Sequence, residues 1–318
     1  MILLSLKLLS PSSFLITVVL ISILSVAACT AGKFDTAPAG PELLRVSYQS
    51  EATGQERDYF VYLPDGYGTT STGKKWPVML FLHGNGERGD AKEELDFVMI
   101  HGPLYEAWVR KRNLPFIIIA PQLPMYSMGE AGYIANRSRE SIPWRLDEGV
   151  PERRPASRPP TPMQGAAPVE VMPHPPEGPP DGWYRLENDL PAILDQVEQE
   201  FDADPDRVYL TGISYGGFGA WHIAGRHPQR FAAIAPVVGY GHPDGVAPIA
   251  EHRLPVWCFS GGRDMVVEPR YFYPALNRLE ELGHTEVRFT SHEDMGHDAW
   301  VRIYAGQDLY DWMLQHSR

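Results

Sequence analysis

Cysteine is almost missing from this chain: Cys29 and Cys258 are the two among 318 residues. If Cys29 is consumed by lipidation, no internal disulfide can form, and the fold must rest on its core. Cys258 lies in the apolar stretch Pro255-Val256-Trp257-Cys258-Phe259 and reads as a small buried hydrophobe rather than a nucleophile. Basic runs are also lacking. The 28 Lys and Arg are scattered and outnumbered by 40 Asp and Glu, a net charge of −12 that argues against nucleic-acid binding. There is no internal repeat and no obvious propeller or second domain. Metal patterns are wanting too: His292 and His297 stand five apart with Gly296 between them, whereas a helical zinc pair needs four. Gly84-Asn85-Gly86-Glu87-Arg88-Gly89 fits G-x-G-x-x-G by letter. Two β segments precede it, however, and the following strand ends in Pro121-Gln122 rather than an acid, which excludes a dinucleotide site. No metal and no cofactor is expected.

What the chain does have begins at its N-terminus. Residues 1–28 carry one early cation, Lys7, a long apolar run, and Val26-Ala27-Ala28 before Cys29. These are the parts of a secretory signal. Small residues directly before a cysteine fit the bacterial lipoprotein type, with Cys29 the lipidated first residue. An uncleaved membrane anchor and ordinary secretion with an incidental Cys29 are the alternatives. Residues 29–43 then form a tether, and 44–318 the folded body of an exported, envelope-bound lipoprotein held to the membrane by its lipid. About 250 to 290 residues suit one large domain.

Within that body, Leu44 to Tyr48 and Arg57 to Leu63 predict an antiparallel opening pair. Trp76 to Leu82 is too continuously apolar for a half-exposed strand and predicts a central parallel one. Phe116 to Ala120, Arg207 to Thr211, Phe231 to Val238, Leu254 to Phe259 and Val287 to Thr290 continue the series. Leu186 to Phe201, Tyr271 to Leu282 and Asp298 to Gln315 have helical spacing between or after them. The alternation implies a mostly parallel α/β sheet with helices on both faces. From about Met125 to Asp181 the rhythm breaks. Three proline pairs, at Pro159-Pro160, Pro175-Pro176 and Pro179-Pro180, forbid regular structure over most of that length. The expectation is an insertion draped partly near the functional site with a mobile middle, its first part anchored by Tyr126, Tyr133 and Trp144. A plain solvated excursion is the alternative.

The chemistry-bearing residues follow the strands. Gly212-Ile213-Ser214-Tyr215-Gly216 comes straight after the Arg207 strand and straight before a helical pattern from Phe218 to Ala224. A sharp strand-to-helix turn lifts the Ser214 hydroxyl above the sheet, and the small neighbours prevent collision. A serine needs a base, and His297, between the last strand and the last helix, is the expected one. His284 falls in a turn, His292 comes too early, His316 is at the chain end, and His222 reads as structural. Asp264, in the loop after the Leu254 strand, is expected to hold the imidazole. Asp294 and Asp298 are rivals, but they flank His297 too closely to fold back onto its ring. Oxyanion donors are expected from the backbone N–H of Tyr215 and of Asn85, with Gly86 second to Asn85.

At these residues the sequence resembles a known group. Leu82-His83-Gly84-Asn85-Gly86-Glu87-Arg88-Gly89-Asp90, the turn Thr211 to Gly219, Gly296-His297-Asp298-Ala299-Trp300 and the closing Leu309-Tyr310-Asp311-Trp312 are similar to α/β-hydrolases of a bacterial group of predicted peptidases and carboxylesterases. That group is related to feruloyl esterases and polyhydroxybutyrate depolymerases. The resemblance runs from about Val46 to Gln315 and implies an α/β-hydrolase fold. It further implies ester hydrolysis through an acyl-enzyme, with Ser214, Asp264 and His297 at matching positions. The 125–181 segment departs from it, since such proteins have a shorter loop there. The substrate expected is a small or polymer-derived ester. A serine peptidase of the same fold, or a non-catalytic binding lipoprotein, are the other readings. The sequence does not name the acyl or alcohol group, nor the oligomeric state.

Overall fold

The computed structural model describes residues 40–69, 73–167 and 169–318. The signal at 1–28, Cys29 and most of the tether lie outside the described residues. Among those described, no helix is long and apolar enough to cross a membrane.

Eight strands form one sheet: β1 (Glu42–Gln49), β2 (Glu56–Leu63), β3 (Trp76–Leu82), β4 (Ile117–Pro121), β5 (Ala203–Ile213), β6 (Ala233–Val237), β7 (Val256–Gly261) and β8 (Val287–His292). Their spatial order is β1-β2-β4-β3-β5-β6-β7-β8. β1 pairs antiparallel with β2, as does β2 with β4, and every later pairing is parallel. β3 is buried along its whole length, which explains its unbroken apolar sequence. Its side chains alternate: Val78, Leu80 and Leu82 enter one core cluster, Met79 and Phe81 the other.

The first cluster takes the apolar stripes of α1 (Asp189–Glu200), α2 (Tyr215–Arg226) and α3 (Tyr273–Glu281). The second takes residues 95–109 together with α4 (Trp300–Ala305) and α5 (Asp308–Met313). Helices therefore cover both faces of a mostly parallel sheet, which is the α/β-hydrolase fold. The one long helix expected over Asp298 to Gln315 is instead two, parted at Gly306, whose backbone is extended (φ −68°, ψ 169°). Arg112 accounts for the break. Its guanidinium donates to the carbonyls of Tyr304 (2.7 Å), Ala305 (3.1 Å) and Gly306 (3.1 Å), capping the end of α4.

Chain order reverses direction at β3, with β4 on one side and β5 on the other. Loops leaving the C-terminal ends of β3, β5, β7 and β8 thus gather at one edge. The 125–181 segment holds three short turns, Tyr126–Glu130, Gly132–Ala135 and Arg139–Ser141, and among its described residues no helix or strand beyond them. Its predicted anchors differ. Tyr126 packs partly against the core, but Tyr133 is 61% and Trp144 50% exposed, and the buried contacts come from Ile134 and Ile142. Indoles and phenols carry a polar tip that tolerates water, so the two purely aliphatic residues take the apolar sites.

Candidate active site

Ser214 sits between β5 and α2 with φ 51° and ψ −115°, a left-handed conformation that a serine holds only under constraint. The constraint is close packing. A Cβ on Gly216 would lie 1.9 Å from the carbonyl oxygen of Leu82, and one on Gly212 would lie 2.3 Å from that of Gly216. The backbone N–H of Ser214 donates to the Val237 carbonyl at 3.0 Å, pinning the turn to β6.

Three loops converge on this hydroxyl. His297 Nε2 is 3.0 Å from Ser214 Oγ, and His297 Nδ1 is 2.8 Å from Asp264 Oδ2. Asp264 is fully buried, and its other oxygen accepts the N–H of Val266 (2.8 Å) and of Val267 (2.9 Å). A carboxylate held by two backbone donors and an imidazole cannot rotate away. The edge of His297 meets the indole of Trp300, with ring centroids 5.3 Å apart at 86°.

The structure keeps the rival residues elsewhere. Asp294 makes a two-pronged ion pair with Arg302, both bonds 2.7 Å, which holds its carboxyl well below the usual range. Asp298 accepts the backbone N–H (2.7 Å) and hydroxyl (2.6 Å) of Ser157. His284 Nε2 donates to the Leu254 carbonyl at 2.8 Å, and His222 pairs with Glu187 at 2.8 Å. His316 packs edge-on against Trp312. Cys258 is buried in β7, where burial pushes its thiol far up.

Tyr215 opens α2, and Asn85 opens the turn Asn85–Glu87 after β3. First residues of helical turns have N–H groups with no acceptor in their own helix, the kind of donor that a developing oxyanion requires. The Asn85 side chain is engaged away from that task, bonding the Tyr133 hydroxyl through its amide nitrogen and Arg88 Nε through its oxygen.

Sequence reasoning missed what holds this loop. Arg88 is fully buried and donates to the carbonyls of Pro124 (2.9 Å) and Asp181 (2.8 Å), and its guanidinium lies 5.0 Å from the Tyr215 ring centroid. Burial, above all, lowers its pKa to about 10, and the neighbouring phenols and Asp181 pull the other way; it stays a cation at neutral pH. His83 accepts the Leu123 N–H at Nε2 (2.9 Å) and bonds the Gly84 carbonyl at Nδ1 (2.6 Å), which fixes the tautomer with the proton on Nδ1. Trp183 donates its indole N–H to the His83 carbonyl at 3.1 Å. The one available signal was the Glu87-Arg88 pair inside a glycine loop, charged residues where only small ones are sterically needed.

The proline-rich segment bonds to the same loops. Besides Ser157 on Asp298, the Gln164 N–H donates to the Gly262 carbonyl (2.7 Å) and Arg263 donates to that of Thr161 (2.6 Å). Residues 157–164 thus lie against the loops carrying Asp264 and His297 rather than standing off in solvent. No group of three or more metal-ligating side chains occurs among the described residues.

Comparison with known proteins agrees with the fold. A model of the prolyl oligopeptidase family matches residues 186–246, the stretch that contains Ser214. The chain is 33% identical over 78 residues to a bifunctional acetylxylan esterase/xylanase, XynS20E, of Neocallimastix patriciarum, a match covering 24% of this chain and 11% of that one. It is 36% identical over 50 residues to poly(3-hydroxyalkanoate) depolymerase C of Paucimonas lemoignei, covering 16% and 12%. The match thus spans about an eighth or less of each of these two curated relatives. A solved thermostable esterase superposes with a TM-score of 0.60 at 25% identity, over 87% of this chain and 63% of that one.

Proposed function

Within the α/β-hydrolase group of esterases and peptidases to which this chain belongs, we propose that it is a serine carboxylesterase working through an acyl-enzyme. The observation that carries the reading is the unbroken relay from Ser214 Oγ through His297 to buried Asp264, at 3.0 and 2.8 Å. Ser214 Oγ attacks the ester carbonyl while His297 Nε2 takes its proton. Asp264 accepts the hydrogen bond from Nδ1–H and stabilises the imidazolium without itself being protonated. The carbonyl oxygen, now carrying the negative charge, is met by the N–H groups of Tyr215 and Asn85, each worth about 3 kcal/mol in the transition state.

When the tetrahedral adduct collapses, the bond to the alcohol oxygen breaks and His297 gives its proton to that oxygen. Water then attacks the acyl-enzyme, again losing a proton to His297. The acid leaves, and Ser214 is protonated once more. The match of residues 186–246 to the prolyl oligopeptidase family supports a second reading, an amide-cleaving peptidase, because the same relay serves both leaving groups.

Turnover of short p-nitrophenyl esters tests the esterase reading, with a panel of short peptides as the competing substrate. Ser214→Ala is expected to abolish it, and retained activity would remove the mechanism. The chain is further read as an envelope lipoprotein attached through Cys29. Labelled fatty acid should enter the wild type and not Cys29→Ala; equal labelling, or none in either, sinks that attachment.

A further inference from the structure

Arg88 departs from the usual arrangement of a buried charge. It has no exposed surface, and its hydrogen bonds run to neutral oxygens alone: the side-chain carbonyl of Asn85, and the main-chain carbonyls of Pro124 (2.9 Å) and Asp181 (2.8 Å). The carboxylate of Asp181 does not pair with it, being engaged by Arg185 at 2.6 Å and by the Ser127 hydroxyl. Among the described residues Arg88 is thus solvated by dipoles and joined to no anion. Burying a cation in this way is costly. A local rule broken at such cost is expected where function requires it.

The guanidinium touches both residues whose N–H groups are assigned to the oxyanion. Nε donates to the Asn85 side chain, in the turn after β3, and the guanidinium carbon lies 5.0 Å from the centroid of the Tyr215 ring, at the start of α2. Those two segments are distant in the chain, and a pair of donors serves one oxygen only at a fixed spacing. A guanidinium is planar with its donors in fixed directions, so the turn, the ring and both carbonyls keep register around it. The Asn85 backbone is held as well. His83 Nδ1 bonds the Gly84 carbonyl at 2.6 Å, and in a trans peptide the next N–H, that of Asn85, points the opposite way, away from the buried imidazole.

We propose that Arg88 is the positioning residue of the oxyanion site: its guanidinium joins the Asn85 turn to the Tyr215 ring, fixes the spacing of their two N–H groups, and sets an unneutralised positive charge behind them. The proposal rests on the reading of Ser214 as the nucleophile and of those two groups as the donors. Donors held in place need no reorganisation when charge develops. An unpaired cation favours the oxyanion over the neutral carbonyl that precedes it, so the effect belongs to the transition state and not to substrate binding.

Arg88→Met removes the charge and the fork. Asn85→Ala keeps the backbone N–H, removes the oxygen that Arg88 holds, and deletes far less from the interior. Thermal unfolding checks the fold of each. Hydrolysis of p-nitrophenyl acetate gives kcat and KM. A short alkyl trifluoromethyl ketone, which adds to a serine to form an oxyanion, is compared as an inhibitor with the corresponding alcohol, which cannot. Arg88→Met should lower kcat by about 10²-fold and Asn85→Ala by about tenfold, with KM within about threefold of wild type. The inhibition constant of the ketone should rise in step with the loss in kcat, and that of the alcohol should not move. A merely structural role would lower the share of folded enzyme and leave the ketone constant as it is. A kcat and a ketone constant within about twofold of wild type in folded Arg88→Met, or a loss confined to KM, overturns the proposal. Should Arg88→Met not fold, the same results in Asn85→Ala overturn it. A wild type that cleaves peptides and no ester removes the esterase reading alone, because the oxyanion is the same and the ketone comparison stands. A wild type that binds ketone no tighter than alcohol removes the Ser214 reading and Arg88 with it, a result unlike tight binding that survives in the variants.

Discussion

Replacing Glu87 by glutamine should stabilise this protein in mildly alkaline solution and do little in acid. Glu87 lies in the turn after β3, 7% exposed, and its Oε2 is buried without a partner. Burial pushes its carboxyl up from 4.5 to about 7; backbone N–H groups and Arg137 pull it back only in part. His83 and His101 stand 3.8 and 3.9 Å away, but burial lowers them to about 3 and about 4, so neither supplies a compensating charge at neutral pH.

The sign follows from proton counting. As pH rises, the unfolded chain gives up this proton near 4.5 and the folded chain only near 7. Between those values the folded state binds more protons, so stability falls with rising pH and the whole penalty is present above about 7. At about 1.4 kcal/mol per pH unit the penalty reaches about 3 kcal/mol. Glutamine keeps the shape and never ionises. The gain for Glu87→Gln should be small near pH 4.5 and approach about 3 kcal/mol near pH 8, or roughly 6–12 °C in Tm for a large domain at roughly 2–4 °C per kcal/mol. Circular-dichroism melts of both proteins at pH 4.5, 6.5 and 8 read this directly. A Tm difference that does not change with pH, or a variant less stable than wild type at pH 8, refutes the reasoning.

Other expectations rest on single contacts. Asp264→Asn should leave the melting temperature near that of wild type but cut kcat by about 10⁴-fold, because an amide favours the wrong tautomer of His297; a loss below tenfold would contradict its role. Gly216→Ala should fail to accumulate as folded protein, since its methyl would lie 1.9 Å from a backbone oxygen, and normal expression with an unchanged Tm would show that the turn yields. In a Cys29→Ser background, Cys258 should resist a thiol reagent until the protein is unfolded, because burial raises its thiol pKa and the strand covers it; rapid native labelling would contradict this.

Features carried by a short run of neighbouring residues were legible in the sequence. The apolar run from Trp76 to Leu82 announced a strand buried on both faces, and β3 has those bounds. The elbow around Ser214 could be read because its strand, glycines and helix are consecutive. Chain order and strand ends restrict where partners for Ser214 can come from, and Asp264 and His297 lie within hydrogen-bond reach in that order. What was not legible depends on partners far along the chain. Arg112 interrupts the last helix from nearly two hundred residues upstream, so local spacing still favoured one helix over Asp298 to Gln315. Ser157 meets Asp298 across 141 positions, and nothing in a proline-rich stretch specifies that contact. Trp144 had the composition of an anchor, yet half of it faces solvent while Ile142 beside it is buried.

One arginine gathers the two ends of that proline-rich stretch: the same guanidinium takes the carbonyls of Pro124 and Asp181. The main chain thus leaves the body and returns to it at a single fixed gate, whatever runs between. Closing a longer excursion costs only about 0.6 kcal/mol for each doubling of its length. Sequence can be added, lost or exchanged beyond the gate while Asn85 and Tyr215 keep their places, so long as residues 157–164 still meet the loops of Asp264 and His297. The segment is in this sense a graft site, where a new rim can be tried on an unchanged body.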